Sequence, residues 1–406
     1  MNTVENREFD YQAYVRENPP DPSRIRRGTE ARRQRLEKKL ALHGQALVIA
    51  REIGYRQEEA ADLGNLGNCY FDIGELATAI AFHEQALVIA REVGYRQGEA
   101  NQLGSLGNCH SALGDPARAI EFYEQALVIH REIGYRQEEA ADLGSLGNCY
   151  SALGEPARAI ELYEQALVIH REIGYRQGEA GDLGNLGNCY SNLGEPARAI
   201  EYHEQALVIA QKIGHRQGEA IHLENLGHVF TDQSEWDKAL ESYRQAIQIA
   251  DEIGFPQVQN WGRWGMSLAR LYSGDLPQAR TVIEQAQKYS CPPNMPNVMT
   301  LLGIIALRQQ DSDTGKEAFT AAIKEADALL NHSDRNYKAL DAKALSLCGL
   351  ALCEQRPVHM ENPVAAFKAA REITDAPGTV ARVMRLSEEL AKADSEGVLA
   401  QVRSAM

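Results

Sequence analysis

Leu143, Leu146, Gly147, Tyr150 and Leu153 follow one another at steps of three or four residues, so they share one face of a helix. Ala159, Ile160, Tyr163, Ala166, Leu167, His170 and Ile173 form a second face of the same kind. Both patterns return every forty residues from about residue 40 to residue 280. Residues 91–130 and 131–170 differ at only seven of forty positions. The punctuation keeps the same period. Gly-Glu-Pro at 154–156 and 194–196, and Gly-Asp-Pro at 114–116, end one helix and start the next. The acidic residue can cap, and proline suits the first helical position, where its missing N–H costs nothing. Gly94, Gly134, Gly174 and Gly214 stand after the second helix, where a left-handed cap is expected.

Helix pairs are therefore predicted at about 56–93, 96–133, 136–173, 176–213 and 216–253. A sixth, 256–288, has drifted and carries Trp261 and Trp264. Two irregular pairs (about 298–330 and 336–374) and a closing helix (378–393) follow. One such pair cannot bury its apolar faces alone, so neighbours must stack into a continuous core. The expected fold is all-α. Its parts are a flexible polar arm (1–29) with Pro-Pro-Asp-Pro at 19–22, and a basic half-repeat serving as N-terminal cap (30–53). The regular array (54–288), a linker (289–297) and irregular pairs with a C-terminal cap (298–406) follow. The divergent ends are expected to turn a polar outer face to solvent.

Leu66-Gly67-Asn68 with Tyr70, then Ala79 and Ala86, resembles the tetratricopeptide repeat signature, as do Leu146-Gly147, Tyr150, Ala159, Tyr163 and Ala166. The resemblance covers residues 40–280 clearly and 295–375 more loosely. The proline that usually closes the family's repeat is absent, which gives forty residues in place of thirty-four. This longer form is similar to the arrays of kinesin light chains and to the sensor tails of bacterial STAND NTPases. The C-terminal stretch from YKALDAKALSLCGLALCE onward is similar to the ends of those tails. The resemblance implies a right-handed α-solenoid whose first helices line a concave groove.

LGNLGNCY (63–70) packs poor helix formers into eight residues and recurs in each unit. Gly67, Gly107, Gly147, Gly187 and Gly227 fall in the stripe facing the partner helix, where they are expected to let two backbones approach. Asn65, Asn68, Asn108, Asn148, Asn185 and Asn188 lie on the opposite stripe, with His228 ending the row. By the resemblance, that stripe faces the groove. First helices ~10 Å apart match about three residues of extended strand, and an amide offers both donors and an acceptor to a peptide backbone. Two readings stay open: a ladder that binds a partner segment, or amides that bond to neighbouring helices and only hold the stack.

Arg118, Arg158 and Arg198 form a basic column at the start of the second helices. They are read as intra-helical pairs with Glu121, Glu161 and Glu201, or as candidate contacts for an acidic partner. Residues 24–39 carry eight basic against two acidic residues and read as a solvated cap helix, a dock for an acidic surface or a nucleic-acid contact. Trp236, Trp261 and Trp264 are either core filling or an anchor for a partner. His83, His130, His170 and His203 alternate with tyrosine or alanine and read as tolerant packing positions.

Cys69, Cys109, Cys149 and Cys189 recur on equivalent places of successive units, too far apart for disulfides, and fit a reducing cytoplasm. They lack the close ligand spacing of a metal site, so no metal is expected. The net charge of −15 disfavours nucleic acid as a partner. No apolar run of about eighteen residues is present, so no membrane span is expected. G-x-x-x-x-G-K-[ST], H-E-x-x-H and G-x-S-x-G are all missing, and duplicated carboxylates such as Glu139 and Glu179 make no asymmetric constellation. No catalytic residues and no cofactor are assigned. The expectation is a non-enzymatic scaffold or bacterial sensor arm holding a protein or peptide partner, with self-association left open. The alternative is a regulatory subunit that controls a separate enzyme such as a protease or NTPase.

Overall fold

The computed structural model describes residues 30–289, 291–331, 333–354 and 361–394, with residues 397 and 399; for residues 30–33 and 361 the description stops at the backbone. The arm expected over 1–29, and with it residues 24–29 of the basic stretch, lies outside the described residues. Within them are eighteen α-helices and no strand. No helix among them is long and apolar enough to cross a membrane. The chain divides into two compact units, with the boundary between Tyr135 and Arg136.

The first unit begins with α1 (Glu30–Glu52), followed by the antiparallel pairs α2 (Arg56–Ile73) with α3 (Leu76–Glu92) and α4 (Arg96–Ala112) with α5 (Pro116–Ile133). Leu36, Leu40, Leu47 and Ala50 of α1 are buried, and α1 packs on α2. Its outer side is not the polar face expected of a cap. Leu42 and Ile49 are 62% and 57% exposed, whereas Phe82 and Ile89, their equivalents forty residues on, are buried. A half-repeat keeps the sequence of an internal helix, and among the described residues no helix covers this side of it.

The second unit contains α6 (Arg136–Ala152) with α7 (Pro156–Glu172), α8 (Arg176–Asn192) with α9 (Pro196–Lys212), and α10 (Arg216–Asp232) with α11 (Trp236–Ile253). It continues through α12 (Pro256–Tyr272) with α13 (Leu276–Ala286), a 3-10 turn at Pro292–Asn294, and α14 (Met295–Arg308) with α15 (Ser312–Leu330). It ends with α16 (Tyr337–Glu354), α17 (Glu361–Ile373) and α18 (Pro377–Ala391). Each unit is an all-α solenoid in which the first helices of consecutive pairs touch: α2 with α4, α8 with α10, and α10 with α12.

Local chemistry fixes the helix ends. Gly134 closes α5 at φ +75°, a backbone state that favours glycine. Asp115 caps α5 by accepting the Arg118 N–H at 3.1 Å. Glu155 and Glu195, one methylene longer, make no cap bond and instead pair with Arg158 and Arg198 at 3.2 Å. The recurring carboxylates in the first helices are clasps. Buried Glu59 receives Arg51 Nε at 2.8 Å and Arg56 Nη1 at 2.6 Å, while Arg56 also reaches Glu92. Glu139 is held by Arg136, which also bonds Glu172. A buried carboxylate needs such partners, so the run R-E-I-G-Y-R-Q-E-E at 51–59 ties α1 to α2 and, through Glu92, α2 to α3.

Candidate functional site

The glycine of each first helix sits under a ring from its partner helix. A Cβ added at Gly147 would lie 2.6 Å from Tyr163 Cε1, and one at Gly107 would lie 2.7 Å from Tyr123 Cε1. Gly67 meets His83, Gly187 meets His203 and Gly227 meets Tyr243 in the same way. The expectation of backbones in close approach is thus corrected: the space is taken by an aromatic or imidazole ring, which no other residue would leave room for.

From that seat the tyrosine reaches the next residue of the first helix. Tyr123 Oη donates to Asn108 Oδ1 and Tyr163 Oη to Asn148 Oδ1, both at 2.7 Å. Tyr243 Oη bonds His228 Nδ1 at 2.8 Å. Burial raises the pKa of the Tyr163 and Tyr243 hydroxyls, so they remain donors. Asn68, Asn108, Asn148 and Asn188 are all exposed, and Asn65 and Asn185 are half-buried. The amides at 108 and 148 are bonded within their own pair and still face solvent. Their acceptor is engaged by the tyrosine, which leaves the two N–H donors of each directed elsewhere.

Two of these rungs carry histidine instead. His83 Nδ1 bonds Gln102 Oε1 at 2.8 Å in the following first helix. At the fourth rung the equivalent of Gln102 is His222, again in the following first helix, and there no bond forms. The His203 and His222 rings are tilted with centroids 6.3 Å apart. His203 is fully buried with neither ring nitrogen bonded, and His222 Nδ1 is unbonded too. Burial, reinforced for His203 by His222 and His228 and for His222 by His215, holds them down at about 3 and about 4 respectively, so both rings are neutral at pH 7.

The second unit encloses a cavity of about 440 Å³ over this place. Asn188, His203, Asn225 and His228 line one side, and Trp261, Trp264, Tyr272 and Lys338 line another. Glu224, buried, accepts from His228 Nε2 at 3.0 Å. Trp261 and Trp264 meet edge to face at 5.7 Å, and Trp264 Nε1 donates to Asn297 O at 3.2 Å. Trp236 lies apart from them, under Arg385.

Helix α18 forms the remaining wall. Arg382 donates to Ser191 Oγ (2.6 Å), Asn192 Oδ1 (3.1 Å) and Asp232 Oδ2 (2.8 Å), at the C-terminal ends of α8 and α10. Arg385 donates to the Thr231 carbonyl (3.1 Å) and stacks on Tyr272 at 4.1 Å. Cations are favoured at helix C-termini. Gly378 makes the fit possible, since a Cβ there would lie 2.2 Å from Ser191 O. Asn188 and His228 therefore share a cavity walled by the chain's own closing helix, together with Asn225 and Arg382. Sequence reasoning missed both: Asn225 stands one forty-residue period after Asn185 and was within reach of the repeat, whereas no periodic signal links Arg382 to partners 190 positions away.

The other candidates are placed separately. Asn65 and Asn68 share a small pocket of about 150 Å³ with Gln102 in the first unit. The Arg158 and Arg198 guanidiniums lie 4.0 and 3.7 Å over the rings of Tyr150 and Tyr190 and pair with the preceding glutamates, not with Glu161 and Glu201. Arg118 is exposed near His110, whose pKa burial and then the Arg118 charge lower. His170 and Asp182 form a sealed pair at 2.6 Å. All seven cysteines are free thiols.

Models of the tetratricopeptide repeat match residues 63–93, 98–172, 183–252 and 265–334. No curated protein sequence matches the chain. Among solved structures, the apo form of RapI aligns with a TM-score of 0.56 at 20% identity, over 66% of this chain and 97% of its own. A Rap protein complexed with competence and sporulation factor aligns with a TM-score of 0.56 at 17% identity, over 68% and 77%. The apo quorum sensor NprR from B. thuringiensis gives 0.50 at 15% identity, over 84% and 99%. At these identities the likeness is one of fold.

Proposed function

Because the chain belongs to the tetratricopeptide repeat family, we propose that it is a non-enzymatic scaffold that captures an extended segment of another protein along the amide-bearing faces of its first helices. The observation that carries this reading is the state of Asn108 and Asn148: each is fixed by a tyrosine through its oxygen and exposed with its N–H donors unspent. A backbone carbonyl of a partner strand is the natural acceptor for such a donor, and an amide already held by a second bond loses less rotamer freedom on binding. The cavity of the second unit adds an aromatic wall where one partner side chain can anchor. The Rap protein complexed with competence and sporulation factor supports the reading, as a protein of this fold with a bound factor. The free thiols and the sensor-tail resemblance favour a cytoplasmic bacterial regulator.

The test is selection of a random heptapeptide library on the full chain, followed by affinity measurement on the Asn108→Ala/Asn148→Ala variant. The expected result is a loss of at least about tenfold, the value of one or two hydrogen bonds, with little change in Tm. Unchanged affinity with a lowered Tm reduces the amides to a structural role. A captured partner whose catalytic rate changes on binding makes the chain a regulatory subunit.

A further inference from the structure

Five rungs repeat one design, and one of them is incomplete. At the second, third and fifth rungs a tyrosine hydroxyl reaches the residue after the glycine, Asn108, Asn148 or His228. At the first, His83 turns to Gln102. At the fourth, the His203 ring takes the same seat over Gly187, 2.7 Å from where a Cβ would stand, but an imidazole is shorter than a phenol and delivers no hydroxyl to Asn188. The rescuing glutamine is replaced by His222, which is not bonded to it. His203 thus keeps a donor and an acceptor unbonded although it is fully buried. Buried polar atoms without partners are rare in folded proteins. Both His203 and Asn188 line the 440 Å³ cavity.

We infer that this rung is a hydroxyl-binding subsite, which takes the hydroxyl of a side chain of the captured segment at the place where the sibling repeats put their own tyrosine oxygen. The inference rests on the scaffold reading and names what the cavity selects. The incoming hydroxyl donates to Asn188 Oδ1, as Tyr163 does to Asn148, and accepts from the imidazole N–H of His203. Tyrosine is favoured over serine, because Trp261 and Trp264 line the same cavity and offer an aromatic wall. A phenylalanine would fill the space and leave both polar groups unbonded, which is the stronger form of discrimination.

The experiment uses the full chain and four blocked pentapeptides, Ac-Ala-Ala-X-Ala-Ala-NH2, with X as Tyr, Ser, Phe or Ala. The readouts are the side-chain amide signal of Asn188, the imidazole signals of His203 and the fluorescence of Trp261 and Trp264. The tyrosine peptide is expected to shift Asn188 and His203 and to bind at least about tenfold more tightly than the phenylalanine peptide. His203→Tyr, a residue the same seat accepts in three other repeats, is expected to abolish that preference and raise Tm. A serine preference with phenylalanine excluded also supports the subsite and assigns it to the smaller side chain. Equal binding of tyrosine and phenylalanine, or a preference that survives His203→Tyr, overturns it. Silence of Asn188 toward all four at millimolar concentration means that an ordered water alone fills the rung. Peptides that bind through Asn148 without touching Asn188 would sink the subsite and leave the scaffold reading standing.

Discussion

The third and fourth rungs stand forty residues apart in nearly identical sequence, yet they behave as different materials. At the third, Tyr163 lies on Gly147 and bonds Asn148, so ring, backbone and amide fix one another. At the fourth, His203 lies on Gly187 in the same pose, bonds nothing, and faces a second imidazole across 6.3 Å. One ring substitution turns a closed structural contact into an open polar one. Packing alone therefore does not define a repeat; the hydrogen bond carried on the packed ring decides whether it is finished from within.

Acid should break the pair apart most strongly. His203 and His222 titrate at about 3 and about 4 in the folded chain, against about 6.5 when unfolded. The folded pKa values are the lower ones, so the unfolded chain takes up protons first. The stability these rings contribute is complete above about pH 6.5 and is lost as pH falls toward about 3. Between pH 7.5 and pH 4 the loss is on the order of 3 kcal/mol for each ring. The Tyr163 hydroxyl stays protonated across this range. Asp182, whose carboxyl burial raises, works in the opposite sense. Urea melts at a series of pH values check this, and His203→Tyr should flatten the slope. A variant as acid-sensitive as the parent would place the effect elsewhere.

A smaller and more local test strikes the glycines. Gly147→Ala drives a Cβ to within 2.6 Å of a ring held at its far end by Asn148. The expected cost is about 2–3 kcal/mol, read as a lower urea midpoint at unchanged m. Gly187→Ala meets His203 at 2.7 Å, but this ring is unbonded and borders a cavity into which it can turn. Its cost should be about 1 kcal/mol. Equal losses would mean that the Tyr163–Asn148 bond adds no rigidity to its rung.

The helices were legible because the forty-residue period, the left-handed glycines and the N1 prolines all mark the same boundaries. The pairs at 96–133 and 176–213 reappear as Arg96–Ile133 and Arg176–Lys212. The role of the glycine was half legible: the stripe was readable, but a ring reaching across a pair leaves no trace in a helical wheel. His203 was visible as a departure from tyrosine and passed for tolerance, since the missing partner is a hydroxyl nearly 3 Å beyond the ring. The closing helix was readable as a helix and not as a wall. Arg382 meets Asn192 and Asp232 through contacts with no period, and the apolar outer side of α1 was hidden by its likeness to internal helices.

The finest version of the comparison lies one turn earlier, at Gly144 and Gly184. The sequence around both reads Asp-Leu-Gly or its repeat, and each glycine sits inside a helix, where alanine is intrinsically better by about 0.5–1 kcal/mol. At Gly144 the nearest atom to an added Cβ is Asp182 Oδ1, 3.9 Å away, so Gly144→Ala should be stabilising by roughly that amount. At Gly184 the same Cβ would stand 2.6 Å from His222 Cε1, so Gly184→Ala should lower Tm while its counterpart raises it. The opposite signs would trace to position 222 alone, where the fifth repeat carries an imidazole in place of the fourth's Asp182. Two increases would show that His222 gives way at little cost, and that the unbonded rung is held less firmly than its burial implies.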